Sequence, residues 1–328
     1  MPKLEKKAAR LSFITTRNLG KYLRQYVLLI VLVLLGGVLS IYSPNFLTVN
    51  NVMNILRQIS FVGIAGIGMT LIIISGAIDL SIGGIAALSG IITTSFFKDM
   101  GIPFIPSILA GLLVGSFLGF LNGLSISKLH IPPFIQTLVM MNFAQGVAFV
   151  YSKAQPIYNL PPSYTFLATS FIGPFPLLVI ILAIIYLIFN LVLTRTVFGR
   201  RIFALGGNES ASKYSGINTD NIRIAVYTLM GILAGMVGIL LAARVTAGDP
   251  NSGSGLALDA IAATVMGGTS IGGGVGSVTG TILGAIIIGV IDNALVLLNF
   301  SPWWQPIVKA VVIFIAVMLD AQNKRREA

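Results

Sequence analysis

Apolar stretches about as long as a bilayer is thick follow one another along nearly the whole chain. A membrane-spanning helix needs about 20 predominantly apolar residues, and several stretches reach that length. They predict an all-α polytopic membrane protein with about ten transmembrane helices. Their approximate bounds are 26–42, 58–78, 80–97, 104–127, 132–151, 173–193, 221–243, 256–270, 275–298 and 303–320.

The few charged residues lie mostly on one side of these spans. Only 9% of residues are charged and 55% are hydrophobic, whereas a soluble domain has roughly 25% charged residues. With ten spans, 16 of the 21 Lys and Arg residues fall on the side of the N-terminus. Because cytoplasmic loops carry the excess of Lys and Arg, we expect both termini in the cytoplasm. This topology explains the net charge of +11, and no basic run interleaved with exposed aromatic residues indicates nucleic-acid binding.

The chain divides into two tails and one transmembrane domain. Residues 1–25 are expected to form a basic cytoplasmic tail, since this basic region is long for a cleaved signal and no small-residue cleavage site follows the first apolar stretch. A single transmembrane domain is expected over 26–320, interrupted by a polar cytoplasmic loop at 194–220. Residues 321–328 form a second cytoplasmic tail.

The loop from Thr194 to Gly216 is the longest polar interruption of the transmembrane domain. Phe198, Ile202 and Leu205 have the spacing of an apolar stripe on a short helix. Gly206 and Gly207 are expected to end that helix by a left-handed turn. Asn208 is expected to cap a second short helix, which Gly216 ends. Two amphipathic helices favour a docking surface, and the alternative is an ordinary positive-inside connector.

Two glycine-rich interruptions break apolar runs in the two halves of the chain. They lie at Gly76–Gly84 and Gly267–Gly274, and both contain Ser-Ile-Gly-Gly. Paired interruptions are typical of internal repeats whose broken helices line a transport pathway. Chance similarity of two glycine-rich turns is the alternative. Glycines spaced four residues apart elsewhere favour close helix packing; they are Gly111, Gly115 and Gly119, with Gly280, Gly284 and Gly289 in a later span.

A small set of polar side chains lies at membrane depth. Asp79 and Asp259 have positions suited to capping a helix or to its dipole. Asp292 lies well inside a span, where an ionisable residue indicates function by default. The polar residues that would line a route for a hydroxylated solute are Asn122, Asn142, Gln145, Asp292 and Asn293. Hydrogen bonding between helices is an equal alternative for the neutral ones.

The sequence contains no motif for catalysis or metal binding. Cysteine is absent and His130 is the only histidine, which excludes a thiolate site and a multi-histidine metal centre. There is no phosphate-binding loop, no zinc-protease motif and no nucleophile elbow with a partnered histidine. We therefore expect no catalytic residue, no metal and no cofactor bound by this chain. Transport against a gradient would draw its energy from an ion or from another subunit.

Three long motifs resemble one family of transport proteins. They are MTLIIISGAIDLSIGG, GRRIFALGGNESASKYSGI and LALDAIAATVMGGTSIGGGVGSVTGTILGA, in this order. They are similar to the ribose-type permease subunits of ATP-binding-cassette monosaccharide importers, within the branched-chain amino acid and ribose permease family. The resemblance extends from Asn45 to Val317.

This resemblance implies a fold, partners and a cellular location. The fold would be the type II permease architecture of the cobalamin importer, in the bacterial cytoplasmic (inner) membrane. A second permease subunit, most simply an identical copy, would complete the path. A soluble extracytoplasmic binding protein would deliver a monosaccharide such as ribose, and separate ATPase subunits would use ATP and Mg.

The resemblance also places the family's coupling helix at Asn208 to Gly216, within the polar loop. Its Glu-Ala-Ala core reads Glu209-Ser210-Ala211 here. We expect Phe198 and the face of Ala211 and Tyr214 to enter an ATPase groove, with the arginines at its acidic rim. The implied ATPase-coupling residues are Phe198, Gly199, Arg200, Arg201, Asn208, Glu209, Ala211, Tyr214 and Gly216.

An ion-coupled secondary sugar transporter or facilitator is the alternative of a different class. It would need a proton or sodium site, for which Asp292 is the best candidate. Its transport would persist without ATP. The sequence does not identify the sugar.

Overall fold

The computed structural model describes residues 30, 32–301, 303–311, 314 and 318. The predicted tails, 1–25 and 321–328, lie outside the described residues, as do parts of the first and tenth predicted spans. The described helices are α1 (Leu32–Tyr42), α2 (Val49–Ile74), α3 (Ile82–Thr94), α4 (Phe104–Lys128), α5 (Pro133–Tyr151), α6 (Pro162–Thr169), α7 (Leu177–Arg195), α8 (Val197–Gly207), α9 (Glu209–Tyr214), α10 (Thr219–Val245), α11 (Leu256–Met266), α12 (Val278–Leu297) and α13 (304–311).

Six of these helices are long and apolar enough to cross a bilayer. They are α2, α4, α5, α7, α10 and α12, and α1 and α11 are shorter apolar helices. A π-helical turn, Ser95–Asp99, extends α3. A two-stranded antiparallel ribbon, β1 (Phe171–Ile172) and β2 (Phe175–Pro176), precedes α7. The predicted polytopic helical membrane protein is confirmed.

The second predicted span begins nine residues too late, since α2 starts at Val49. Its first turns are rich in polar residues, which lowered the hydropathy on which the prediction rested. The side chain of Thr48 caps the helix by accepting from the Asn51 backbone N–H at 3.4 Å. The Asn51 and Gln58 side chains hydrogen-bond to α12. Polar side chains inside a membrane are tolerated when they hydrogen-bond to a neighbouring helix.

Helix α2 lies at the centre of the fold, and small residues allow the other helices to approach closely. A side chain at Gly115 of α4 would overlap the backbone of α10 at Gly231, and one at Gly231 would overlap Gly115 in return. Gly284 of α12 meets the Ala263 backbone of α11 in the same way. The predicted packing role of the spaced glycines is confirmed. Such contacts stabilise helix pairs by dispersion where lipid removes the hydrophobic drive.

Two irregular segments interrupt the helices, at 75–81 and 267–277. The two Ser-Ile-Gly-Gly sequences differ in structure, because Ile82-Gly83-Gly84 begins α3 whereas Ser270 to Gly273 lies in the second interruption. Asp79 accepts hydrogen bonds from the Ser81 N–H at 2.7 Å and the Ser81 hydroxyl at 2.5 Å, which ends the first interruption just before α3.

Candidate coupling surface and solute path

Helix α8 is built as part of the transmembrane domain. Thr196 caps it by accepting a hydrogen bond from the Gly199 N–H at 3.1 Å. Ile202 is fully buried and Leu205 nearly so, and Phe198 is half buried and packs against the hydrophobic core. The predicted apolar stripe is therefore present, and it faces the chain's own core. Arg200 and Arg201 lie exposed on the other side.

The end of α8 differs from the prediction. Gly206 and Gly207 are still helical, and neither has the positive φ of a left-handed turn. Gly206 is needed for another reason, because a Cβ there would overlap the carbonyl oxygen of Ile74. A Cβ at Gly207 would meet no atom within 4 Å. The two neighbouring glycines therefore have different roles.

Helix α9 presents an exposed surface. Asn208 caps it by accepting from the Ala211 N–H at 2.9 Å, and Gly216 follows its end with φ of 78°, as predicted. Ser212 is buried beneath the helix. Ala211 is exposed, and Tyr214 is 92% exposed. A fully exposed tyrosine beside an alanine on a capped helix is a suitable surface for a partner.

Glu209 anchors α9 to the start of α10. Its carboxylate is 2.7 Å from the Arg223 guanidinium and 2.8 Å from the Lys213 ammonium. Partial burial raises the pKa of Glu209, but the hydrogen bonds and charges of Lys213 and Arg223 outweigh it and hold that pKa below its usual value. The structure thus places Glu209 in ion pairs within the chain.

Asn122, one of the predicted path residues, belongs to a buried network. Its amide donates to the Ser81 hydroxyl at 2.9 Å, and its carbonyl accepts from the Gln136 amide at 3.1 Å. Ser81 in turn donates to Asp79. Asn122 is fully buried, so in this conformation it joins α3, α4 and α5.

Asn142 and Gln145 lie close together on α5. Asn142 is exposed beside a shallow groove of about 450 Å³. The side-chain amide of Gln145 donates to the carbonyl oxygen of Pro250. The residues that line the groove are Asn142, Phe143, Gly146, Val147, Val150 and Tyr151.

The segment 246–255, which joins α10 to α11, packs beside this part of α5. A Cβ at Gly253 would overlap the Gly83 carbonyl near the start of α3. Asn251 and Ser254 are exposed on this segment. Neither residue was predicted from the sequence, although polar residues mixed with proline and glycine between two apolar runs are a signal of such a loop.

Asp292 and Asn293 lie in a separate polar cluster. The Lys309 ammonium of α13 is 3.1 Å from Asp292 and 2.9 Å from Asp259. Gln58 donates to Asp292 at 3.0 Å. Asn293 exchanges two amide hydrogen bonds with Asn51, at 2.7 and 2.9 Å. The five predicted path residues thus occupy three places. Asn122 lies in the first, Asn142 and Gln145 lie in the second, and Asp292 and Asn293 lie in the third.

Comparison with known proteins identifies the family. The profile of the family described as "Branched-chain amino acid transport system / permease component" matches residues 51–317. The ribose import permease protein of Escherichia coli K12 is 42% identical over 91% of this chain and 93% of its own length. That of Bacillus subtilis is 38% identical, covering 94% of each chain. The L-arabinose transporter permease of Azospirillum brasilense is 32% identical, over 91% and 88% respectively.

No solved structure matches the chain significantly. The family match covers most of the described helices, from the first turn of α2 to beyond α13. It includes the interruptions and the whole of α8 and α9. The chain therefore belongs to the family of permease components of branched-chain amino acid transport systems.

Proposed function

We propose that this chain is the permease subunit of an ATP-driven importer for a monosaccharide, with ribose as the first sugar to test. The observation that carries the proposal is α9, a capped and ion-paired helix whose Ala211 and Tyr214 face outward. Nothing within the described chain covers this surface. Relatives named as permeases for ribose and L-arabinose support a sugar as the solute.

The partner at α9 would be the ATPase subunit. An apolar helix face fits a groove in a partner, and Arg200 and Arg201 would meet acidic residues at the rim of that groove. Phe198 is half buried against the core, so in this proposal it holds α8 in place. ATP and Mg would bind in the ATPase, and this chain would supply motion and a path.

The architecture we propose has ten crossings of the bacterial inner membrane in the type II arrangement, with both termini cytoplasmic. The six long helices would supply six crossings. The other four crossings would be supplied by α1, by α3 with its π-helical turn, by α11 with the interruption after it, and by α13. These elements follow the order of the ten apolar stretches in the sequence.

A second copy of the chain would cover the exposed face of α5. Asn142 is a polar side chain on a mostly apolar exposed face of α5, and polar groups at membrane depth face a pathway or another helix. With two copies facing each other, Asn142 and the exposed Asn251 and Ser254 would offer amides and hydroxyls to a hydroxylated solute. An extracytoplasmic binding protein would deliver that solute.

Asp292 does not favour the ion-coupled alternative. Its carboxylate is paired with Lys309 and Gln58, so a sodium ion would have to displace an ammonium group. Paired charges are the usual arrangement for ionisable residues inside a membrane. Asp292 therefore has a role in joining α2, α12 and α13 under this proposal.

Uptake of labelled ribose into proteoliposomes tests the proposed function. The chain would be reconstituted alone, with its ATPase, and with both the ATPase and the binding protein, each with internal ATP or a non-hydrolysable analogue. We expect uptake only with all three proteins and hydrolysable ATP. Uptake by the chain alone, driven by an ion gradient, would overturn the proposal in favour of secondary transport.

A further inference from the structure

The C-terminal end of α8 contacts both helix interruptions through backbone atoms. A Cβ on Gly206 would overlap the carbonyl oxygen of Ile74, the last residue of α2. The same Cβ would lie 2.7 Å from the backbone nitrogen of Gly274 and thus clash with it. Any side chain at position 206 would therefore push α8 away from both interruptions.

The two interruptions are also joined to each other at this point. The Gly274 N–H donates to the Ile74 carbonyl oxygen at 2.9 Å. A Cβ on Gly273 would lie 2.6 Å from the Gly206 oxygen and 3.0 Å from the Gly76 Cα. Gly76, Gly273 and Gly274 all have positive φ, of 87°, 82° and 71°, a backbone conformation that favours glycine. We call the four residues Gly76, Gly206, Gly273 and Gly274 the glycine junction.

The rest of α8 is also packed against the transmembrane domain. Ile202 and Leu205 are buried in the hydrophobic core, and Asn208 joins the end of α8 directly to the capped α9. Close-packed interiors do not deform continuously, so small displacements are passed on as movements of whole elements. A displacement of α9 therefore reaches the C-terminal end of α2 and the loop before α12 without a flexible connection.

We propose that Gly206 is a positioning residue that couples the α8–α9 loop to both helix interruptions, so that the loop and the interruptions move as one body. This inference rests on the proposed function, since it assigns the path by which movement of an ATPase reaches the membrane helices. It predicts that the interruptions follow α9 between nucleotide states, and that the space at Gly206 is needed for transport.

Gly206→Ala tests this in the complete reconstituted transporter, with Gly207→Ala as the matched control. Both changes add one methyl group at the end of α8, but only the first meets backbone atoms. We expect Gly206→Ala to lower the ratio of sugar imported to ATP hydrolysed by roughly tenfold or more, since the methyl overpacks a tight contact. Gly207→Ala should keep the ratio of the unsubstituted chain. Equal ratios in the two variants would overturn the proposal.

A distance measurement keeps the proposal testable if Gly206→Ala does not fold. The chain has no cysteine, so spin labels can be placed at Val197→Cys on α8 and Val275→Cys in the second interruption, both exposed. A second pair joins Val197→Cys to Ile135→Cys on α5, which is also exposed. ATP binding should change the second distance and leave the first unchanged. A first distance that changes would overturn the proposal.

Failure of the proposed function remains distinguishable from failure of the junction. Each preparation of the unsubstituted chain is first assayed for ATP-driven uptake. Absent uptake there would overturn the proposed function and, with it, the junction. Normal uptake with Gly206→Ala behaving like Gly207→Ala would overturn the junction alone.

Discussion

Helices α8 and α9 are consecutive and both short, but they belong to different parts of the molecule. In α8 the apolar stripe is turned inward, with Ile202 and Leu205 buried and the backbone packed against the interruptions. In α9 only Ser212 is buried, and Tyr214 is 92% exposed. The difference shows that the polar loop combines a helix packed into the transmembrane domain with a second helix that is mostly exposed. Amphipathic spacing alone does not distinguish the two, because an apolar stripe can face either the core or a partner.

The largest expected effect comes from placing a charge on the exposed face of α9. Ala211→Asp would put an unpaired carboxylate into the proposed interface, where a desolvated charge costs free energy. We expect ATP-driven uptake to be lost while the thermal stability of the isolated permease in detergent stays unchanged. Ala211→Ser, which adds a small polar group only, should retain more uptake than the aspartate. Full uptake by Ala211→Asp would show that α9 is no contact surface.

A change in the buried stripe of α8 should have the opposite pattern. Ile202→Ala leaves a cavity at a fully buried site, and such changes cost about 2–5 kcal/mol. The midpoint of thermal unfolding in detergent should fall clearly. Tyr214→Ala is the matched truncation on α9, where an exposed change is expected to stay within about 0.5 kcal/mol. If the two truncations lowered the midpoint of thermal unfolding by similar amounts, α8 and α9 would not differ in how they are packed.

Loss of the α9 cap should have a smaller, local effect. Asn208→Ala removes the hydrogen bond to the Ala211 N–H, and such cap removals cost about 1 kcal/mol. Amide hydrogen exchange in α9 should become faster, and exchange in α8 should not. Asn208→Ser keeps a cap and should restore slow exchange. Faster exchange throughout both helices would indicate that they unfold as one unit.

The smallest effect is expected from the ion pairs of Glu209. Lys213 and Arg223 hold the pKa of Glu209 below its usual value. The stabilisation by these ion pairs is therefore fully present above the pKa of Glu209 in the unfolded chain, and it is lost as pH falls through the lower pKa of Glu209 in the folded chain. The contribution should stay below about 1 kcal/mol, because exposed ion pairs are screened by solvent. Protection of the α9 amides, measured as the intrinsic exchange rate divided by the observed rate at each pH, should therefore decrease as pH falls below the usual pKa of a glutamate, about 4.3. Glu209→Gln should abolish that decrease, and its persistence would assign the pH dependence to another group.

Local signals in the sequence predicted the parts of the site that depend on neighbouring residues. The cap at Asn208, the turn at Gly216 and the spacing of Ile202 and Leu205 all follow from short-range rules. The role of Gly206 did not, because the atoms it makes room for belong to Ile74 and Gly274. The sequence alone does not distinguish a glycine that ends a helix from a glycine whose missing side chain lets another backbone pack closely.

The polar residues inside the transmembrane domain show the same limit. Asp292 was predicted as a functional group because it lies well inside a span. Its partner, Lys309, lies on α13 and also pairs with Asp259. The early start of α2 was missed for a related reason, since Asn51 and Gln58 find their partners on α12. Pairing between distant segments decides whether a polar residue is structural, and it becomes visible only in the folded chain.

Site-specific photo-crosslinking tests the separation of α8 and α9 most directly. A photoreactive residue would replace Tyr214 on α9 or, as a control, the exposed Val197 on α8, in membranes that contain the ATPase subunit. We expect a covalent product with the ATPase in much higher yield from position 214 than from position 197, because only the rim of the groove would reach α8. An equal or higher yield from position 197 would contradict this expectation and would identify α8 as the main contact surface.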